Sequence, residues 1–145
     1  AYGITHAKKN SIPYLIVDTK KRYFEYDLLK ILKENKISLI CLAGYMRILS
    51  KKFIESYTKK IINIHPSLLP KYKGLDTFKR ILTNKDCKTG CTVHYVNEKL
   101  DSGNIIIKKT FFIEKTDNEK SLKYKTQKLE YLAFPEAIRK IFRAN

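Results

Sequence analysis

Three short apolar runs alternate with two stretches of helical period in the first half of this chain, and that alternation constrains its fold most. The runs are SIPYLIVD (11–18), ISLICLAG (37–44) and IINI (61–64). Each is short and nearly continuous in apolar residues, the pattern of a strand covered on both faces. Pro13 can precede the first strand and Asp18 closes it. Between them, residues 24, 28, 31 and 32 place apolar side chains on one face of a helix over 24–35, with lysines opposite. Ser50 can cap a second helix over KKFIESYTKK. Strand, helix, strand, helix, strand predicts an α/β fold: an open, mainly parallel twisted sheet with helices on both faces.

The flanking segments extend this pattern. Residues 2–10 read as the end of a helix. After a loop at 66–75, Asp76 or Thr77 can cap a short helix to Leu82. TGCTVHYV (89–96) and NIIIKKTFFI (104–113) read as strands joined by NEKLDSG, and 118–142 as a long helix that Pro135 should kink or divide. There are no internal repeats and no linker, so residues 1–145 are expected to form a single domain. A doubly wound sheet normally opens with a strand whose loop receives a phosphate. No glycine-rich loop of that kind occurs here, so the phosphate-handling segment is expected to be missing from the chain or replaced.

A chain of 145 residues is long enough for a real core. The formal net charge of +16 comes almost entirely from lysine, without a visible period. A polyanion-binding surface usually wants arginine forks or interleaved aromatics. The plainer reading is a solvated lysine-rich face that attracts small anions, which makes nucleic acid an unlikely partner. No apolar run has the length of a membrane span, and the first residues lack the order of a secretory leader, so the chain is expected to be cytosolic. Cys41, Cys87 and Cys91 fit reduced thiols; with His65 and His94 they make no zinc spacing, and no metal is expected. Cys41, inside an apolar run, is expected in the core.

The candidate chemistry lies in INIHPSLLPKYKG (62–74). Asn63 and His65 stand at the carboxyl end of the third strand, where parallel sheets bind ligands, and their i, i+2 spacing puts both on one face. Pro66 and Pro70 stiffen the following loop, and Gly74 permits a tight return. An amide and an imidazole held side by side suit polar chemistry on a carbonyl: the amide donates to a developing oxyanion, and the imidazole moves a proton. The same pair could instead be structural, with His65 capping a loop carbonyl. Asp101 could orient a histidine, although Asp-Ser-Gly is also ordinary hairpin chemistry. His94 is either a lining residue or a satisfied, half-buried histidine. Glu130, among Leu129, Leu132 and Ala133, is a boundary residue or the acceptor of an amine.

Five segments carry a resemblance. AYGITHAKK, LAGYMRILS, INIHPSLLPKYKGLDTFKR, GCTVHYVNEKLDSGNII and LEYLAFPEAI, in that order, resemble the glycinamide ribonucleotide formyltransferases of purine synthesis. Methionyl-tRNA formyltransferases and formyltetrahydrofolate deformylases are similar around the Asn-x-His pair and the later aspartate. HPSLLP, KGLDTF and CTVHYV resemble the ribonucleotide enzymes best.

The resemblance implies formyl transfer from 10-formyltetrahydrofolate to the primary amine of glycinamide ribonucleotide, without a metal or a covalent enzyme intermediate. It implies that Asn63 and His65 stabilise the tetrahedral intermediate while Asp101 assists proton transfer. The folate would lie along Met46, Arg47, Ile48 and Leu49, against Asn97, Glu98 and Leu100 of the later loop, with His94 near its formyl group. Pro66 and Glu130 would meet the amine substrate. It also implies small-molecule partners only, and a monomer or homodimer. The family opens with a first strand and a Gly/Ser-Asn loop that grips phosphate; the chain is expected to lack that β-α segment. Three readings compete with this one: hydrolysis of the same folate, formylation of a charged tRNA, and a basic nucleic-acid-binding module that would leave Asn63, His65 and Asp101 unexplained.

Overall fold

The computed structural model describes residues 2–143. It divides into two compact units, one up to Ile37 and one from Ser38 onward.

The first unit holds α1 (Tyr2–Lys9) and α2 (Phe24–Glu34). Helix α1 ends with His6, Lys8 and Lys9 in its last turn, where cations complement the helix dipole, and the Asn10 side chain donates to the His6 carbonyl (2.9 Å). Helix α2 carries Glu25 and Asp27 in its first turn and Lys33 in its last. Residues 12–18 do not form the expected strand: they take no ladder partner among the described residues, and Ile12, Tyr14, Leu15 and Ile16 are exposed. A strand exists through its ladder, so an apolar run without a partner stays irregular.

The second unit is built on β1 (Leu39–Leu42), β2 (Lys60–His65), β3 (Lys88–Tyr95) and β4 (Ile105–Phe112), in spatial order β1-β2-β3-β4. The α/β class and the open sheet stand. In detail the sheet is mixed: β1 and β2 are parallel, while β2–β3 and β3–β4 are antiparallel. Parallel pairing is confined to the β1–α3–β2 unit; β3 runs back along β2 after α4, and the short connection after β3 turns back as a hairpin. Helix α3 (Lys51–Ser56) is capped as expected, the Ser50 hydroxyl accepting from the Phe53 amide at 3.1 Å. It stops early, since Lys60 already belongs to β2. Helix α4 (Thr77–Thr83) follows Asp76, whose side chain makes no capping bond.

Helix α5 (Glu119–Arg143) packs on β3 and β4 as one uninterrupted helix, so Pro135 does not divide it. The amide that proline lacks would have bonded near the exposed Tyr131, whereas Ala133, Ala137 and Ile141 hold the buried face to the sheet on both sides of the proline. These three residues form the core with Ile62, Cys91, Val93 and Ile106. The small side chains of Ala133 and Ala137 let the helix axis approach the strands. Lys109 pairs with Glu136 (2.6 Å), and the Lys140 ammonium donates to the Ile106 carbonyl (3.1 Å), which fixes the helix along β4. Cys41 departs from expectation: it is exposed, while its β1 neighbours Leu39, Ile40 and Leu42 are half-buried.

Candidate active site

The sheet face opposite α5 carries the polar residues. Antiparallel register pairs Asn63 with His94 and His65 with Thr92, so two i, i+2 pairs on neighbouring strands share one face. Between Val93 and His94 the β3–β4 register slips, Val93 facing Ile107 and His94 facing Ile105. Such irregularities re-aim side chains next to sites.

The connection after β3 folds back over this face and delivers Asp101. Its Oδ2 lies 3.3 Å from His65 Nδ1 and its Oδ1 lies 3.6 Å from His94 Nε2; all three side chains are less than a tenth exposed. His94 Nδ1–H donates to the Tyr95 carbonyl at 2.8 Å, because a carbonyl can only accept. That leaves Nε2 as an acceptor for one hydrogen of the Asn63 amide nitrogen, 3.3 Å away. A backbone carbonyl therefore sets the histidine tautomer, and the histidine sets the orientation of the amide. The second Nδ2 hydrogen of Asn63 remains for a ligand oxygen.

His65 is fixed in the same manner. Its Nε2–H donates to the Tyr72 carbonyl at 2.7 Å, which turns the Nδ1 lone pair toward Asp101. Two acceptors then face each other across 3.3 Å, a slot that a transferred proton would fill. Burial lowers the His65 pKa below its ordinary value; the Tyr72 carbonyl and the Asp101 carboxylate oppose this, and His94 and Arg80 add to it. Asp101 moves down as well. Burial pushes it up, but the adjacent His94 imidazole, the hydrogen bond from the Gly74 amide (2.9 Å) and the nearby His65 outweigh burial.

The HPSLLP loop is anchored by Thr92, which shares the site face with His94 and which no sequence motif singles out. Its buried hydroxyl donates to the Ser67 carbonyl (2.7 Å) and accepts from the Leu69 amide (3.1 Å). Tyr72 was also missed: it acts through its backbone oxygen, which no side-chain pattern reveals.

Apart from the buried His94 on β3, the residues named for the folate fall in two stretches that are exposed except at Leu49. Met46 and Ile48 are 76% and 69% exposed, whereas the Leu49 side chain is in the core, so any contact there is by backbone. Both the 46–49 segment and the site follow the carboxyl ends of the parallel pair β1 and β2. Lys51, at the start of α3, pairs with Glu98 at 3.3 Å and ties the vicinity of this segment to the later loop. Arg47 is exposed in the same segment. Asn97 accepts from the Lys99 amide (3.0 Å), and Leu100 lies against Gly74. Pro66 follows His65 and is partly buried. Glu130 stands on α5, on the Cys91 side of the sheet, and burial raises its pKa. Cys91 is no nucleophile: burial, then the charge of Glu130, pushes its thiol up to about 12. Among the described residues no group of three or more His, Cys, Asp or Glu side chains is arranged to hold a metal ion.

A family model described as formyl transferase matches residues 1–138. The chain belongs to the formyl transferase family. It is 40% identical over 140 residues to the trifunctional purine biosynthetic protein adenosine-3 of Drosophila melanogaster, an alignment covering 94% of this chain and 10% of that protein. The chain thus spans about a tenth of the length of its trifunctional insect relatives. It is 39% identical over 143 residues to the phosphoribosylglycinamide formyltransferase of Haemophilus influenzae, covering 96% of this chain and 68% of that one. The solved phosphoribosylglycinamide formyltransferase of Bacillus halodurans superposes with a TM-score of 0.90 at 34% identity, over 97% of this chain and 75% of that one.

Proposed function

We propose that the site on β2, β3 and the Asp101 loop transfers a formyl group from 10-formyltetrahydrofolate to the primary amine of glycinamide ribonucleotide, in the cytoplasm, as a step of purine synthesis. The observation that carries this reading is the contact of His65 with Asp101 beside an amide whose orientation is fixed. The free cysteines suit a reducing compartment. Among the described residues no helix is long and apolar enough to cross a membrane.

The residues fit the two substrates by chemistry. Exposed Met46, Ile48 and Leu100 offer apolar surface to a flat heterocycle, and the loop at 97–101 offers backbone groups to its polar edge. When the amine attacks the formyl carbon, a new C–N bond forms and the carbonyl electron pair moves onto oxygen. The unused Asn63 hydrogen meets that charge; one such donor is typically worth about 3 kcal/mol. The attacking nitrogen must lose a proton, and the slot between His65 Nδ1 and Asp101 Oδ2 receives it. As the bond between the formyl carbon and folate nitrogen breaks, the proton is returned to that leaving nitrogen. Glu130, carrying no ion pair among the described residues, is assigned to the amine end of the substrate.

Formyl transfer is tested by incubating the protein with both substrates and following formylated product by mass spectrometry. Product from the wild type, lost in Asn63→Ala and in Asp101→Ala, supports the reading. Formate without formylated ribonucleotide would mean hydrolysis of the folate instead. Absence of both products would remove the assignment.

A further inference from the structure

The His65–Asp101 pair is held from outside by one short strap, residues 72–75. The Tyr72 carbonyl accepts from His65 Nε2 (2.7 Å), and two residues later the Gly74 amide donates to Asp101 Oδ2 (2.9 Å). The strap's backbone is costly: Tyr72 has φ +58 and Gly74 φ +78, and Asp76 just beyond has φ +54. A non-glycine residue keeps a left-handed conformation only where its surroundings over-determine it. The Tyr72 phenol is clamped, donating to Asp86 (2.9 Å) and accepting from Asn84 (2.9 Å), and Lys73 reaches the Ser102 hydroxyl. The strap's own carbonyls at 73 and 75 need a further partner.

That partner comes from α4. Arg80 Nη1 donates to the Lys73 carbonyl at 2.7 Å and to the Leu75 carbonyl at 3.3 Å, and its guanidinium lies 5.4 Å from the Tyr72 ring centre. We propose that Arg80 is a positioning residue, clamping the 72–75 strap so that one segment holds both His65 and Asp101 in reacting geometry. Arg80 touches no reacting atom; it acts through the Tyr72 carbonyl and the Gly74 amide. The planar, weakly hydrated guanidinium meets two carbonyls and lies over a ring with fixed donor directions, whereas a lysine ammonium is a strongly hydrated point charge on a flexible stem and holds such a geometry less firmly. The role in turnover rests on the formyl-transfer reading, but the clamp itself is a statement about His65 and Gly74.

Arg80→Met keeps the aliphatic stem and removes the fork; Arg80→Lys keeps the charge. Imidazole nitrogen NMR on the wild type should show His65 as a single Nε2–H tautomer, and the Gly74 amide should exchange slowly. In Arg80→Met the tautomers should average and Gly74 should exchange about tenfold faster or more, with Arg80→Lys in between. Formyl transfer should lose about ten- to a hundredfold in kcat, with KM for the folate unchanged. A lower Tm with His65 and Gly74 unaltered would overturn the proposal. Should Arg80→Met not fold, Arg80→Lys decides by the same two signals. Altered signals without formyl transfer in any variant would support the clamp and count against the proposed activity alone.

Discussion

His65 Nδ1 and Asp101 Oδ2 lie 3.3 Å apart, although the tautomer imposed by Tyr72 leaves a lone pair on the histidine nitrogen facing the carboxylate. This pair is unsatisfied while neutral imidazole faces carboxylate and becomes satisfied when a proton enters. Asp101→Asn would fill the slot with an amide hydrogen and remove its capacity for a proton. The expected outcome is a loss of about a hundred- to ten-thousandfold in kcat with little change in KM, read from steady-state kinetics.

Acid stability follows from the same residues. The folded-state pKa of His65 lies below the ordinary 6.5, so the unfolded chain binds the proton first. Its contribution to stability is complete above that value and is lost as pH falls below it. Asp101, lowered from 3.8, adds a second loss at still lower pH. Thermal melts between pH 7.5 and 5 should show a falling Tm, and the fall should be smaller in His65→Gln.

Thr92 is the buried tie between β3 and the HPSLLP loop. Thr92→Val keeps the shape and strands the Ser67 carbonyl and the Leu69 amide. Each unpaired buried group costs about 1–3 kcal/mol, so urea unfolding should show a loss of about 2–4 kcal/mol, with Thr92→Ser clearly milder.

Gly103 is required by space. A Cβ there would lie 1.8 Å from the Tyr95 carbonyl oxygen, a backbone atom that cannot swing aside. Gly103→Ala must push the hairpin connection off β3 and carry Asp101, two residues earlier, with it. An ångström of displacement is worth about a hundredfold in rate, and kcat should fall accordingly.

Glu130 is half-buried with a raised pKa and no ion pair among the described residues. Because its folded-state pKa is raised, folding favours the protonated form, and the carboxylate destabilises the fold as pH rises through that value. Glu130→Gln should raise Tm at pH 7.5 by about 1–3 °C while raising KM for the amine substrate. An unchanged KM would remove Glu130 from the substrate site.

The sequence by itself determined the α/β alternation, the Ser50 cap, the common face of Asn63 and His65, and the family resemblance. All of these rest on local periods or contiguous motifs, which the chain carries from residue to neighbouring residue. It could not decide whether 12–18 becomes a strand, because that needs a ladder partner, or that the sheet turns antiparallel after β2. Nor could it show that Asn63 meets His94 thirty-one residues away, or that Gly74 meets Asp101 twenty-seven residues away. Strand register and backbone-to-side-chain bonds over such separations leave no period in the sequence. They exist only once the core of Ile62, Val93 and Ala137 has set the strands beside one another and turned their polar faces to the same side.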